Sequence, residues 1–245
     1  MTIVQNIIKF NEILSHQEPK VPNGFRIINP FIGENKDKIN KIANIFYNKY
    51  YNDNNYRYII LGSSPSRSGS AITGIPFEDS EHLEIETGIS FNKKFSANTS
   101  SQDFLSEIIM KYGGFKKFYS KFYMNFVCPV GLVKINSNGK EINYNYYENK
   151  ELRNSLYDFM IDMLKNIIKI GINRTKCYCM GSGGNYNFLM QINEKYGFFD
   201  KIIPLEHPRF IMQYNSKNKD FFVKTSIYCY NSYERKNIYE YKRII

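Results

Sequence analysis

The chain has three histidines, and one of them stands where chemistry is expected. His207 follows directly on an apolar run, Lys201 to Leu205, inside the segment Glu206-His207-Pro208-Arg209-Phe210. An imidazole there can donate to a developing negative charge or move a proton near neutral pH. His16 and His82 lie among polar residues and read as surface groups. Pro208 stiffens the turn, and the guanidinium of Arg209 suits a phosphate or a gap in a base stack.

Three further segments carry side chains of interest. Gly62-Ser63-Ser64-Pro65-Ser66-Arg67-Ser68-Gly69-Ser70 is rich in glycine and hydroxyls, and its backbone could cradle an anion. It lacks both G-x-x-x-x-G-K-[ST] and G-x-G-x-x-G, so neither a P-loop nor a dinucleotide fingerprint is present. Thr73-Gly74-Ile75-Pro76-Phe77 follows, and a phenyl ring in such a turn is suited to stacking on a flat base. Asn125 is a lone amide at the end of an apolar stretch. It either satisfies local backbone groups or offers a donor and an acceptor to the edge of a pyrimidine. Met180-Gly181-Ser182-Gly183-Gly184-Asn185 is a glycine-rich turn into a helix, open to close approach by a phosphate. No G-x-S-x-G elbow is present, which argues against a serine hydrolase. A small-molecule enzyme using the serine-rich loop for a phosphate remains a competing reading.

These segments share a position: each follows a short apolar run. The runs Tyr58 to Leu61, Phe122 to Val127, Thr175 to Met180 and Lys201 to Leu205 read as strands. Helical spacing separates them over Lys36 to Tyr51, Gln102 to Tyr112 (capped by Ser100 or Ser101), Asn149 to Ile170 and Asn185 to Tyr196. Phe221 to Tyr233 is either a last helix or a β-rich stretch. Strands alternating with helices predict an α/β fold with a mostly parallel sheet, whose ligands bind beyond the carboxyl ends of the strands. The expected organisation is a single domain over 1–245 with an N-terminal helical extension over about 1–28.

Composition narrows the class. The 245 residues suit one full-size α/β domain, and no apolar run reaches the length of a membrane helix. The first fifteen residues lack the unbroken apolar stretch of a signal peptide, so a cytoplasmic protein is expected. Lys and Arg exceed Asp and Glu by 33 to 23, a net charge of +10. That balance suits nucleic acid. An Asn-, Lys-, Ile- and Tyr-rich, Ala-poor composition of AT-rich coding produces the same charge, so the sites must decide. Cys128, Cys177, Cys179 and Cys229 show no C-x-x-C pair and read as reduced thiols rather than a metal centre.

Taken together, the segments resemble the uracil-DNA glycosylase superfamily, and within it the SMUG family (single-strand-selective monofunctional uracil-DNA glycosylases), in its second, bacterial branch. Gly62 to Ser66 stands where that family has G-[MI]-N-P-G, Thr73 to Phe77 matches T-G-[VI]-P-F, and Glu206 to Tyr214 resembles the motif that begins His-Pro. The likeness runs from about Asn29 to Tyr214. It implies a three-layer α/β/α sandwich around a four-stranded sheet, acting as a monomer, without cofactor or metal, on DNA containing uracil or a related lesion.

By the same resemblance, Phe77 stacks on a flipped base, with Gly62, Ser63, Pro65, Ser66 and Asn125 around it. His207 donates to the uracil O2. Arg209 and Pro208 wedge the duplex, while Arg67, Ser182, Gly183 and Asn185 touch the DNA backbone. Ser64 and Ser66 depart from the pattern, which has Asn and Gly there; that Asn positions the attacking water. The departure leaves open a slow enzyme, or a relative that binds lesions without cutting. No lysine stands in the motifs to form a Schiff base, so hydrolysis by water is expected.

Overall fold

A computed structural model describes residues 1–91 and 99–231, the side chains of 99 and 100 excepted. The four apolar runs form one parallel sheet. In chain order the strands are β1 (Phe25–Ile28), β2 (Arg57–Gly62), β3 (Phe122–Phe126), β4 (Gly131–Ile135), β5 (Glu141–Asn143), β6 (Ile172–Met180) and β7 (Ile202–Leu205). The parallel sheet has the order β3-β2-β6-β7. Strands β1, β4 and β5 make a second, antiparallel sheet that the sequence pattern does not announce.

The helices are α1 (Ile3–Ser15), α2 (Lys36–Tyr51), α3 (Ser70–Thr73), α4 (Ser80–Thr87), α5 (Thr99–Tyr112), α6 (Phe115–Tyr119), α7 (Lys150–Ser155), α8 (Tyr157–Ile168), α9 (Gly184–Tyr196), α10 (Pro208–Tyr214) and α11 (Lys219–Asn231). They cover both faces of the parallel sheet and give the expected three layers. On one face the ring of Phe122 packs among Tyr112, Phe118, Tyr178 and Tyr230 from α5, α6, β6 and α11. On the other, Tyr123 meets Tyr51 of α2 edge-on. Cys177 and Cys179, two residues apart on β6, are both buried with Cys128, and Cys229 is half-buried; all four are free thiols.

Several expectations change. The helix expected over Asn149 to Ile170 breaks at Leu156 into α7 and α8, with Asn149 capping the first through its side chain. Helix α5 begins at Thr99, so Ser100 and Ser101 lie inside its first turn rather than capping it. The ambiguous stretch from Phe221 is helical to Asn231, and its last two residues lie outside the described residues. The N-terminal segment is a helix only to Ser15; Phe25–Ile28 pairs with β4 instead. His82 is no plain surface group: half-buried on α4, it bonds Glu78 and stacks on Phe115 at 4.5 Å between ring centres. No described helix is long and apolar enough to cross a membrane.

Candidate active site

Because β2, β3, β6 and β7 are parallel, the segments that follow them emerge at one edge of the sheet. One tight point is Gly62, the last residue of β2. A Cβ built there would lie 2.7 Å from Cζ of Phe77 and 2.9 Å from Cδ1 of Phe126, so a larger residue would have to displace one of the two rings. The two rings stack at 4.7 Å with 21° between their planes.

The turn from Thr73 to Phe77 is built to hold the Phe77 ring against that glycine. Gly74 adopts the left-handed conformation at φ 74°, and a Cβ there would strike Ile39 at 2.5 Å. The buried Thr73 hydroxyl donates to the carbonyl of Glu78 at 3.2 Å and accepts from the amide of Ile75 at 3.4 Å. Phe77 has φ 63°, the one positive value at a non-glycine among the described residues. Such strain costs about 1–3 kcal/mol and persists only where the surroundings over-determine it. Here Ser70 Oγ accepts the Phe77 amide at 2.9 Å.

A loop that the sequence did not mark, Asn143 to Glu148, closes over the segment after β2. Asn143 Oδ1 accepts the amide of Arg67 at 2.7 Å, and Ser63 donates its hydroxyl to Asn145 Oδ1 at 2.9 Å. Asn145 Nδ2 donates in turn to the carboxylate of Glu148. Tyr147 lies on the turn after β6: a Cβ at Gly184 would meet its ring at 2.4 Å. Burial raises the Tyr147 hydroxyl above its ordinary value, the neighbouring Glu148 raises it further, and a bond with Ser63 works the other way. The wholly buried Tyr146 donates to Asn185 Oδ1 at 2.7 Å.

At the far end of the same edge, His207 caps α10. Its Nδ1 accepts the amide of Arg209 at 3.1 Å, so Nδ1 is unprotonated and the neutral ring carries its hydrogen on Nε2. Desolvation by the surrounding protein, then the charge of Arg209, lowers its pKa to about 4. The residue is nonetheless exposed to solvent. Water at the ring's exposed side moderates the shift without changing its direction. Its capping bond adds to the same effect, because protonating Nδ1 would break it. Beyond it, Arg209, Phe210 and Tyr214 are exposed, the two rings 5.7 Å apart on one face of α10.

Residues 48–227 match the family described as the uracil DNA glycosylase superfamily. The crystal structure of wild-type Pedobacter heparinus SMUG2 superposes with a TM-score of 0.87 at 43% identity, over 94% of this chain and 97% of that one. The chain belongs to the uracil-DNA glycosylase superfamily, in its SMUG-type branch. No curated protein matches the sequence significantly.

The site residues expected of this glycosylase family member fall into two groups. Gly62, Ser63 and Phe77 are drawn together with Phe126 and the 143–148 loop. Ser64 is part-exposed, and among the described residues no group bonds its hydroxyl. Ser66 is exposed and Arg67 half-buried on the same loop, while Ser182 and Gly183 are exposed on the turn after β6. Pro208 is buried in the first turn of α10, beneath the exposed Arg209.

Asn185 and Asn125 are both engaged within the fold. The side chain of Asn185 is buried and spent on the fold: it accepts from Tyr146 and donates to the carbonyls of Leu61 at 3.4 Å and Met180 at 3.1 Å, tying β2 to β6. The free amides of the helix's first turn remain open to an anion. Asn125 makes local bonds. Its Oδ1 accepts the amide of Phe126 at 2.8 Å and its Nδ2 donates to Tyr123 at 2.9 Å. With Pro65, Ser70, Gly74, Pro76 and Phe126 it lines a cavity of about 20 Å³ that reaches Phe10 and Leu14 of α1. What the sequence reading missed is the 143–148 loop, whose only signal is its density of amides and phenols.

Proposed function

We propose that the chain is a monofunctional DNA glycosylase that flips uracil or a related base out of DNA and releases it with water as nucleophile. The observation that carries this reading is the pair of devices at one sheet edge: a phenyl ring forced against Gly62 and a neutral imidazole with Nε2–H unspent. An enzyme acting on a base must take it out of the stack. The ring of Phe77 provides a flat surface for the extruded pyrimidine. Strands β2 and β7 are separated by β6, so the strand ends that lead to the two devices stand roughly 10 Å apart, two strand spacings. That gap admits one pyrimidine ring.

As the glycosidic bond breaks, negative charge gathers on the pyrimidine, and its O2 needs a donor. Nε2–H of His207 supplies one without first losing a proton, and one such preorganised donor is worth about 2.7–4 kcal/mol in a dry site. Arg209, with Phe210 and Tyr214 behind it, is placed to fill the space the base leaves. Ser64, with its hydroxyl unengaged, holds the water. We propose further that the chain works as a monomer, without metal, inside the cell.

The test is release of free base from an oligonucleotide containing one uracil, by the wild type and by His207→Ala. Release by the wild type, reduced in the variant, supports the reading. Tight binding with no release at any enzyme concentration favours the second reading, a lesion-binding relative that lacks the amide normally found at position 64.

A further inference from the structure

A serine can hold a water but cannot take its proton, and this leaves the proposed reaction one group short. His207 does not fill the gap. Its Nδ1 is occupied by the Arg209 amide, and its Nε2 is a donor already committed to the departing base. The water must therefore lose its proton at the other end of the edge, beside Ser63 and Ser64.

Two carboxylates stand near that end. Glu141 is held by Arg26 through two bonds, of 2.6 and 2.8 Å. Glu148 is different. It is exposed, it has no cationic partner among the described residues, and its carboxylate is fixed by Asn145 Nδ2. The other end of the same amide takes the hydroxyl of Ser63 at 2.9 Å. Asn145 thus orients a carboxylate and a serine at once, and that serine is the chain neighbour of Ser64. Tyr147, seated on the Gly184 turn, closes the loop from the other side.

We infer that Glu148 is the proton acceptor for the attacking water and that Asn145 positions it, an inference that rests on the glycosylase reading above. One O–H bond of the water breaks and its proton goes to the Glu148 carboxylate. The water oxygen bonds C1′ as the bond from C1′ to the base breaks. The electron pair of that bond leaves on the pyrimidine, where His207 steadies it, and the proton passes from Glu148 to solvent or to the departing base.

The experiment is single-turnover base release from a uracil-containing oligonucleotide, using the full chain as wild type, Glu148→Gln and Glu148→Ala. Affinity is measured in parallel on the same oligonucleotide carrying a non-cleavable 2′-fluoro uridine. Glu148 is exposed, so neither variant should disturb folding. Glu148→Gln is expected to slow release about 10²–10⁴-fold, with affinity within about threefold of wild type. Added formate should restore part of the rate to Glu148→Ala and none to Glu148→Gln. A Glu148→Gln rate within about threefold of wild type overturns the assignment. A wild type that binds but releases nothing overturns the glycosylase reading itself, and this inference with it.

Discussion

The two ends of the active edge are built in opposite ways. Around Gly62 the geometry is tertiary: Ser63 is held by a residue 82 positions away, Arg67 by one 76 positions away, and Phe77 by a strained turn. Around His207 it is local: one bond to an amide two residues on, at the start of a short helix, with the ring open to water. The end proposed to seat the base is built by several distant segments that must meet there. The end proposed to meet the leaving group is a strand terminus and a helix cap. Stability and activity should therefore be coupled at the first end and separable at the second.

The largest effect should come from the local end. His207→Ala is expected to reduce base release about 10²–10³-fold while leaving the urea midpoint close to wild type. His207→Asn, which keeps a capping oxygen, should be as inactive and still nearer to wild type in stability. A large stability loss in both would mean that this end is tertiary after all. Gly62→Ala probes the other end. The new methyl must displace Phe77 or Phe126, so it should cost about 1–3 kcal/mol by overpacking and lose activity together with stability. A stable but inactive Gly62→Ala would uncouple what the comparison says is coupled.

Asn185→Ala sharpens the contrast, since this residue lies under the first end and touches no substrate in our reading. Removing it leaves the buried Tyr146 hydroxyl without its acceptor and two main-chain carbonyls without their donor. Thermal or urea unfolding should show a loss of about 1–3 kcal/mol. Affinity for DNA at a temperature where the variant is folded should be unchanged. Weaker DNA binding by the folded variant would place Asn185 at the interface.

The same contrast decides what could be read from the sequence. The four parallel strands were legible because buried strands are short apolar runs, and the edge they define located the site. Thr73 to Phe77 was legible as a turn with an out-of-place ring, and His207 as a strand-end histidine. The antiparallel sheet was not: Phe25–Ile28 and Glu141–Asn143 are short and largely half-buried or exposed, with no periodic pattern. The break at Leu156 was hidden because the apolar spacing runs through it. The 143–148 loop reads as a polar connection until tertiary contacts give each amide a partner. Asn125 was ambiguous in kind, since an amide that satisfies its own backbone and one that reads a base look alike in sequence. His82 did leave a signal, with Glu78 and Glu86 each four residues away, the spacing of neighbours on a helix face.

His82 and His207 supply the smallest and most diagnostic test, because their signs are opposite. Burial works against charging the His82 ring, but Glu78, Glu86 and Asp79 outweigh it and raise its pKa above 6.5. The native state then holds the proton more tightly than the unfolded chain. The stability His82 contributes is fully present below pH 6.5 and is lost as pH rises through the raised value. His207 is lowered from 6.5 to about 4, so between those values the unfolded chain binds the extra proton. Its contribution is present above 6.5 and is lost as pH falls toward about 4. Urea unfolding of the wild type, His82→Gln and His207→Gln across this range should give stability differences that slope in opposite directions with pH. Activity responds to His207 as well, because protonating Nδ1 breaks the cap and turns the ring; base release should fall as pH drops toward about 4. Matching slopes for the two histidines would mean that His207 is simply solvated and that its cap does not hold the ring neutral.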